Sequence, residues 1–263
     1  MMGTMPTGIA AQVDVLEARS HFAAGDPLQS YGRSGVAITP YPLYSVDFAS
    51  MAQTPDGKLL AGVRYQYYRP TLPGVDADFV RFNADGTADT TFGALGIGAA
   101  DSFFHSVQQV VVRSDGRFYA LGTTRGETAD PYAFVPTYVA RFTADGRLDR
   151  SFGDRGRVRL ETDRLQGPTF GPNVVLDVDG RVTFFDLTRD SHRSRTFVHS
   201  VGRFSNEGRL DGSFGDGGIV VLESPTLRFH EIDGIDVDRA GRVLVVGNRQ
   251  YKRQFSFCLL YTS

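Results

Sequence analysis

An arginine and an aspartate recur together three times along this chain of 263 residues. Each arginine lies five residues before a glycine, and each aspartate lies three residues after it. The pairs are Arg81 and Asp89, Arg141 and Asp149, and Arg203 and Asp211. A guanidinium and a carboxylate at this spacing can form a charge-assisted hydrogen bond; alternatively, the arginines could form a ring that binds an anionic ligand. Because every repeat carries the pair, we predict the structural role.

Other acidic side chains and the histidines were considered as metal ligands. Asp177 with Asp179, and Asp236 with Asp238, are spaced as in calcium loops, but neither stretch continues with the further oxygen ligand and the closing glutamate of an EF-hand. The five histidines fall at unrelated phases of the repeat and show no zinc-binding spacing. They are His21, His105, His192, His199 and His230. The sequence therefore predicts no metal, no cofactor and no catalytic residue.

A large aromatic side chain recurs shortly after each repeated aspartate. The residues are Phe92, Phe152 and Phe214, with Tyr31 at the same position of a weaker upstream copy. One aromatic per repeat could form a platform for a ligand, but it is more simply an anchor that packs one repeat against the next. We predict core packing.

These side chains belong to a segment that occurs three times. The copies run from Phe79 to Gly98, from Tyr138 to Leu160 and from Val201 to Leu222. Their turn glycines are about sixty residues apart, and self-similarity at a fixed spacing indicates a repeat architecture.

A second motif alternates with the first one and consists of two β-prone runs around an Asp-Gly-like turn. Its glycines are Gly57, Gly116, Gly180 and Gly241. Asp-Gly between such runs predicts a β-hairpin, with a type I′ turn in which both central residues have positive φ. The two motifs together supply four short strands in each period, as in the blade of a propeller.

The predicted fold is all-β: a β-propeller-like array of four-stranded antiparallel blades, with about four repeats. A closed four-bladed ring with a shared blade and an arc of a larger propeller both fit the pattern, and we predict the incomplete propeller. The expected units are an N-terminal segment with the second half of a blade at 1–42, full blades at 43–102, 103–165 and 168–225, and the first half of a further blade at 226–257.

The last six residues, 258–263, look like the translation of an adaptor used in preparing sequencing libraries. The alternative is a native C-terminal strand that carries Cys258, the single cysteine of the chain. We predict a non-native tail.

The alternation of the segments PDGKLLAG and RFNADGTADTTFG resembles the delta-60 repeat family, bacterial propeller repeats of unknown function. The resemblance extends from about Ile9 to Gln250, and it departs from the turn aspartate at Glu207 and Ala240. The resemblance implies a scaffold in large bacterial proteins without a defined reaction. It also implies an extracellular or cell-surface location.

The overall charge argues against one class of partner. A formal net charge of −2 and a pI near 6.2 provide no basic field for a phosphate backbone, so we predict no nucleic-acid binding. The chain has no run of 18 apolar residues, so we predict no membrane insertion.

The connections between the second and third strands of successive blades occupy the same phase and should emerge on one face. They carry tyrosines and arginines, residue types that are enriched at binding hot spots. The candidate contact residues are Tyr65, Tyr67, Tyr68, Arg69, Tyr132, Arg193 and Arg195.

We therefore predict a non-catalytic scaffold or binding module that recognises a protein or carbohydrate partner through loops on one face. One alternative is an enzyme of hydrolase or lyase type with its site at the central channel. Another is a purely structural spacer. The sequence leaves the oligomeric state open.

Overall fold

The computed structural model describes residues 30–38, 46–65, 79–93, 97–98, 104, 106–124, 137–160, 174–177, 179–189, 197–222, 231–251 and 254–262. Every regular element in these ranges is a β-strand. The predicted all-β class is confirmed.

The strands follow one another in groups of four. The first group is β1 (Val46–Gln53), β2 (Leu59–Tyr65), β3 (Phe79–Phe82) and β4 (Ile97–Gly98). The second is β5 (Ser106–Val112), β6 (Phe118–Thr123), β7 (Thr137–Phe142) and β8 (Arg157–Leu160). The third is β9 (Val174–Leu176), β10 (Val182–Arg189), β11 (Phe197–Phe204) and β12 (Ile219–Val221). The last described strands are β13 (Glu231–Val237), β14 (Val243–Tyr251) and β15 (Gln254–Thr262).

Each group is an antiparallel sheet in which every strand pairs with the next one along the chain. The first two sheets are also linked at one residue pair, Arg64 with Ser106. The first strands of successive sheets lie side by side, since β1 packs against β5, β5 against β9 and β9 against β13. Sheets of this kind, with their first strands adjacent, are the blades of a propeller-like array.

The third strand of the last sheet, β15, differs from the third strands of the other sheets because it contains residues of the predicted non-native tail. β15 pairs with β14 along its whole length, from Tyr251 opposite Gln254 to Val243 opposite Thr262. Residues 258–262, which we predict to be adaptor-derived, lie in this strand. Their origin stays a prediction.

The hairpin turns differ from the predicted type I′ geometry. At the first turn, the Gly57 N–H donates to the Thr54 carbonyl (2.9 Å) and the Thr54 N–H donates to the Lys58 carbonyl (2.8 Å). Gly57 has a φ of 81°, whereas the preceding aspartate is not among the described non-glycine residues with positive φ. The turn is therefore a type I turn that ends in a left-handed glycine, which is the three-residue hairpin loop with a G1 bulge. The predicted type I′ turn was wrong because Asp-Gly occurs in both turns.

The hydrophobic core lies between neighbouring blades rather than inside any one of them. Phe79 of the first blade packs edge-on against Phe118 and Phe142 of the second, with ring centroids 5.1 and 4.8 Å apart. All three rings are essentially inaccessible to solvent. A blade consequently depends on its neighbour for its buried surface, as expected of a repeat protein.

Candidate functional site

The tight turns and the long connections lie at opposite ends of the blades. In the first blade, Leu59 pairs with Phe82 next to the tight turns, and Gly62 pairs with Phe79 next to the connection 66–78. The corresponding connections of the next two blades are 124–136 and 190–196. Because the blades share one topology, these connections leave on the same side. We call this side the loop end.

Three of the four first strands, β1, β5 and β13, carry a β-bulge towards the loop end. The pairing shifts between Phe48 and Ser50 in β1, between Val107 and Gln109 in β5, and between Ile232 and Gly234 in β13. In each case the extra residue lies eight positions before the turn glycine. Bulges are common beside functional sites because they redirect side chains.

Side chains next to these bulges fasten one first strand to the next. The Gln109 amide donates to the Val174 carbonyl (2.7 Å) and accepts from the Val174 N–H (3.0 Å). Ser50 Oγ accepts a bond from the Val110 N–H (3.1 Å). The bulge residue Gln108 keeps a buried Oε1 with no hydrogen-bond donor among the described residues. Hydrogen bonds between neighbouring first strands therefore fix the base of the loop end.

Most of the predicted contact residues lie outside the described residues. These are Tyr67, Tyr68, Arg69, Tyr132, Arg193 and Arg195. Tyr65 is the last residue of β2, where its backbone pairs with Val46. The grouping of these side chains into one binding surface stays a prediction.

The repeated arginine and aspartate form the predicted pair in all three blades. The distances from arginine Nε to aspartate Oδ2 are 2.7 Å for Arg81, 2.8 Å for Arg141 and 2.8 Å for Arg203. The second carboxylate oxygen accepts the backbone N–H and the hydroxyl of the residue two positions on, such as Ser151 at 3.1 and 2.6 Å. The predicted structural network is confirmed.

A basic side chain from the hairpin turn of each blade also approaches this carboxylate. Lys58 Nζ lies 2.9 Å from Asp89, and the guanidinium groups of Arg117 and Arg181 lie 3.6 and 3.7 Å from the equivalent aspartates. This contact was not predicted from the sequence. The available signal was the basic residue that follows the turn glycine in each of these blades.

Two of the three repeated arginines also bond to the following blade. Arg81 Nη1 donates to the Ala144 carbonyl (2.6 Å), and Arg141 Nη1 donates to the Asn206 carbonyl. Beside them, the Gly93 N–H donates to the Asp145 carbonyl (2.9 Å) and the Gly153 N–H to the Glu207 carbonyl (2.8 Å). We call this set of contacts the interblade joint.

The weaker upstream copy makes part of the same joint. The Gly32 N–H donates to the Asp85 carbonyl (2.6 Å), and the Tyr31 ring lies against Gly86. Residues 30–38 therefore dock on the first blade as the first blade docks on the second and the second on the third.

The recurring phenylalanines complete the joint, as predicted. The guanidinium carbon of Arg81 lies 4.4 Å from the centroid of the Phe92 ring, and that ring packs against Gly146 of the next blade. Arg141 and Phe152 repeat the arrangement at 5.1 Å. A ring of ligand-binding arginines is therefore wrong, because the guanidinium groups are buried and bonded within the joint.

The electrostatics of the joint suit a structural role. Burial alone would raise the pKa of Asp89, but hydrogen bonds from Thr91, Lys58 and Arg81 outweigh it and hold the pKa well below its usual range. The Ser213 hydroxyl is the main reason that the pKa of Asp211 is lowered. Carboxylates that stay ionised near neutral pH are poor general acids.

The described residues offer no obvious metal centre. In these ranges no three His, Cys, Asp or Glu side chains lie close enough to hold an ion. His199 is buried, and its ring stacks on Phe185 with centroids 5.9 Å apart. None of the residues that the structure describes forms a helix long and apolar enough to cross a membrane.

A family model described as a domain of unknown function (DUF5122) beta-propeller matches residues 54–92. The match begins at the first hairpin turn and ends at Phe92, so it spans both sequence motifs. The segment is similar to the repeats of that β-propeller family. No curated protein matches the chain in sequence.

The chain is also similar to several solved structures, with which it shares little sequence. A Bacteroides caccae protein of unknown function is 12% identical with a TM-score of 0.43, and 83% of this chain and 63% of that chain are covered. A glucose dehydrogenase is 14% identical with a TM-score of 0.44, covering 77% and 64%. A Xanthomonas campestris gluconolactonase is 16% identical with a TM-score of 0.38, covering 75% and 55%. The chain thus spans less than two thirds of each of these structures.

Proposed function

We propose that the chain is a non-catalytic scaffold of delta-60 type that binds a protein or carbohydrate partner through its loop end. The observation that carries the proposal is the separation of the two ends. The charged groups of the repeated motif bond within the interblade joints, whereas the strands that flank the long connections end on the other side of the blades, where hydrogen bonds join the bulged first strands. A rigid scaffold that presents variable loops is a common design for recognition.

The resemblance to delta-60 repeats supports a partner outside the cell or at its surface. The tyrosines and arginines of the connections supply the contacts in this proposal, because both residue types bury a large area and add directed polar groups. The bulge residue Gln108 offers a buried acceptor near the base of the loops.

The proposal predicts that changes in the loops abolish binding without unfolding the blades. The test variant changes Tyr67, Tyr68 and Arg69 to serine, and the control changes Arg147, which is exposed at the opposite end, to serine. Both are screened with the parent chain on glycan and peptide arrays. We expect a ligand that binds the parent and the control equally and the loop variant at least about tenfold more weakly, as for a loss of hot-spot residues.

Three outcomes would contradict the proposal. Ligand binding that is unchanged in the loop variant would place recognition elsewhere. A parent chain that binds nothing on either array would favour the spacer. Turnover of a bound ligand, lost in the loop variant, would instead identify the enzyme.

A further inference from the structure

The two faces of the first blade have different surroundings. Leu60 of β2 faces the second blade and belongs to the core between the two blades. Val63 lies on the opposite face of the same strand and packs in a small separate cluster. In β1, Phe48 pairs with Val63, and Met51 pairs with the residue two positions earlier in β2, so both side chains lie on the face of Val63. We call this face the free face.

The free face exposes apolar side chains at positions where the other sheets bury theirs. Met51, six residues before the turn glycine, is 68% exposed. The residues at the same position of the next three sheets are 4%, 0% and 4% exposed, namely Val110, Val174 and Ile235. Phe48, nine residues before the turn glycine, is 45% exposed, whereas Val107 and Ile232 are buried at that position. Single exposed apolar residues are common on protein surfaces, but these two occupy positions that the repeat assigns to the core.

Residues 30–38 cover only the outer part of the free face. Ala37 packs against the cluster that contains Val63. The backbone of residues 32–36 makes the same bridges as that of residues 153–157, which lead into β8. Residues 36–38 therefore occupy the place of a fourth strand of a preceding blade. The inner part of the free face, along β1, remains exposed.

The last sheet exposes the complementary face. Val245 packs against the third blade, so the adjacent Val246 points to the opposite side of the sheet, where it is 37% exposed. Val246 lies five residues after the turn glycine. Leu121 and Phe185 at the same position are buried against the sheet that follows, with 1% and 5% exposure. In the part of the chain that the structure describes, this sheet has three strands, so the place of a fourth strand is open.

The junctions within the chain show how two such faces meet. Gly62 lies at the position of Val246, and a Cβ atom at Gly62 would be 2.5 Å from Val107 and 3.3 Å from Val110. The same three positions at the junction of the third blade with the last sheet form one core cluster: Phe185, Ile232 and Ile235. The residue five after the turn glycine of one sheet therefore packs on the residues nine and six before the turn glycine of the next.

This rule would place Val246 against Phe48 and Met51. One large and two medium-sized side chains fill the junction at Phe185, and a small side chain against two larger ones fills a similar volume. The last sheet of the same chain does not make this contact, because Met51 and Val246 are both exposed within one copy. A second copy can supply the missing face without any change in the array.

We propose that the chain associates head to tail, with the last sheet of one copy packed on the free face of another copy. Strands β13, β14 and β15 of one copy and residues 30–38 of the other would then form one composite blade. Such an interface is heterologous and closes into a ring when the rotation allows it. Two copies would provide three complete blades each and two composite blades. That total lies within the usual range of about four to eight blades, so we expect a ring of two copies.

Sedimentation velocity over a wide range of concentration tests the proposal. The variants Met51→Asp and Val246→Asp each place a carboxylate in the expected interface. The control is Val221→Asp, because Val221 is 58% exposed on β12, away from both faces. We expect the parent and the control to sediment as dimers. The other two variants should be monomers, with a dissociation constant raised at least about tenfold, because association would bury an unpaired charge.

A mixing experiment tests the head-to-tail arrangement and the folding of the variants together. Met51→Asp keeps an intact last sheet and Val246→Asp keeps an intact free face, so an equal mixture should associate although neither variant does so alone. Dimers of Val246→Asp would mean that two free faces pack on each other and would overturn the proposal. A mixture that stays monomeric would also overturn it. So would a monomeric parent, whether peroxide oxidises Met51 readily or the last sheet of the same chain protects it.

Discussion

Replacing Phe152 with alanine is expected to lower the free energy of unfolding by about 3–5 kcal/mol. The ring is fully buried, packs edge-on against Tyr119 at 5.3 Å, and lies under the guanidinium of Arg141. It also contacts the turn at Gly208 in the following blade. Loss of the ring leaves a cavity where two blades meet. That cavity cannot collapse fully, because it is bounded by the turn glycines on one side and by the paired arginine on the other.

Urea denaturation followed by circular dichroism measures this effect, since the chain has no tryptophan for fluorescence. The matched control is Phe48→Ala, because Phe48 is 45% exposed on β1. We expect the control to cost about 1 kcal/mol or less, as at surface positions. If the two variants were equally stable, Phe152 would not be the anchor between the blades.

The second large effect is expected at Gly146, where conformation and space act together. Gly146 has a φ of 86°, and a Cβ atom there would lie 2.7 Å from two ring carbons of Phe92, a side chain with no solvent exposure. The left-handed backbone costs an alanine about 1–2 kcal/mol, and crowding in a packed core adds about 1–3 kcal/mol. Gly146→Ala should therefore lose about 2–5 kcal/mol of stability.

Alanine variants of two other glycines separate the cost of the left-handed backbone from the cost of crowding. Gly217 has a φ of 61° but open space around it, so Gly217→Ala should show only the conformational cost. Gly212 has open space and no positive φ, so its alanine variant should change stability by about 0.5 kcal/mol or less. Denaturation should show the largest loss of stability for Gly146→Ala, a smaller loss for Gly217→Ala and the smallest for Gly212→Ala. Equal losses at Gly146 and Gly217 would show that the contact with Phe92 is unimportant.

The fold class could be predicted because the repeat determines which residues turn, pair and pack. Arg141 and Asp149 could be paired from spacing alone, since the same turn holds both side chains. Phe152 could be assigned to packing because it recurs in phase with that turn. These predictions needed only contacts that repeat with the sequence.

Other features of the structure have no comparable signal in the sequence. The turn type at Gly57 was predicted wrongly because the dipeptide is shared by two hairpin loops with different φ at the aspartate. The bond from Arg81 to the next blade ends on a backbone carbonyl, at Ala144, and a carbonyl has no residue preference. The bulge at Gln108 carries no glycine to mark it.

Buried arginine bonds and a glycine amide fasten successive blades, and in our proposal this joint leaves the loop end for recognition. Hydrogen exchange at three equivalent glycine amides tests it most directly, since all three residues are solvent-exposed. Gly93 and Gly153 donate to the next blade, whereas Gly215 has no such acceptor among the described residues. We predict slow exchange at Gly93 and Gly153 and fast exchange at Gly215. Equally fast exchange at all three would contradict the account.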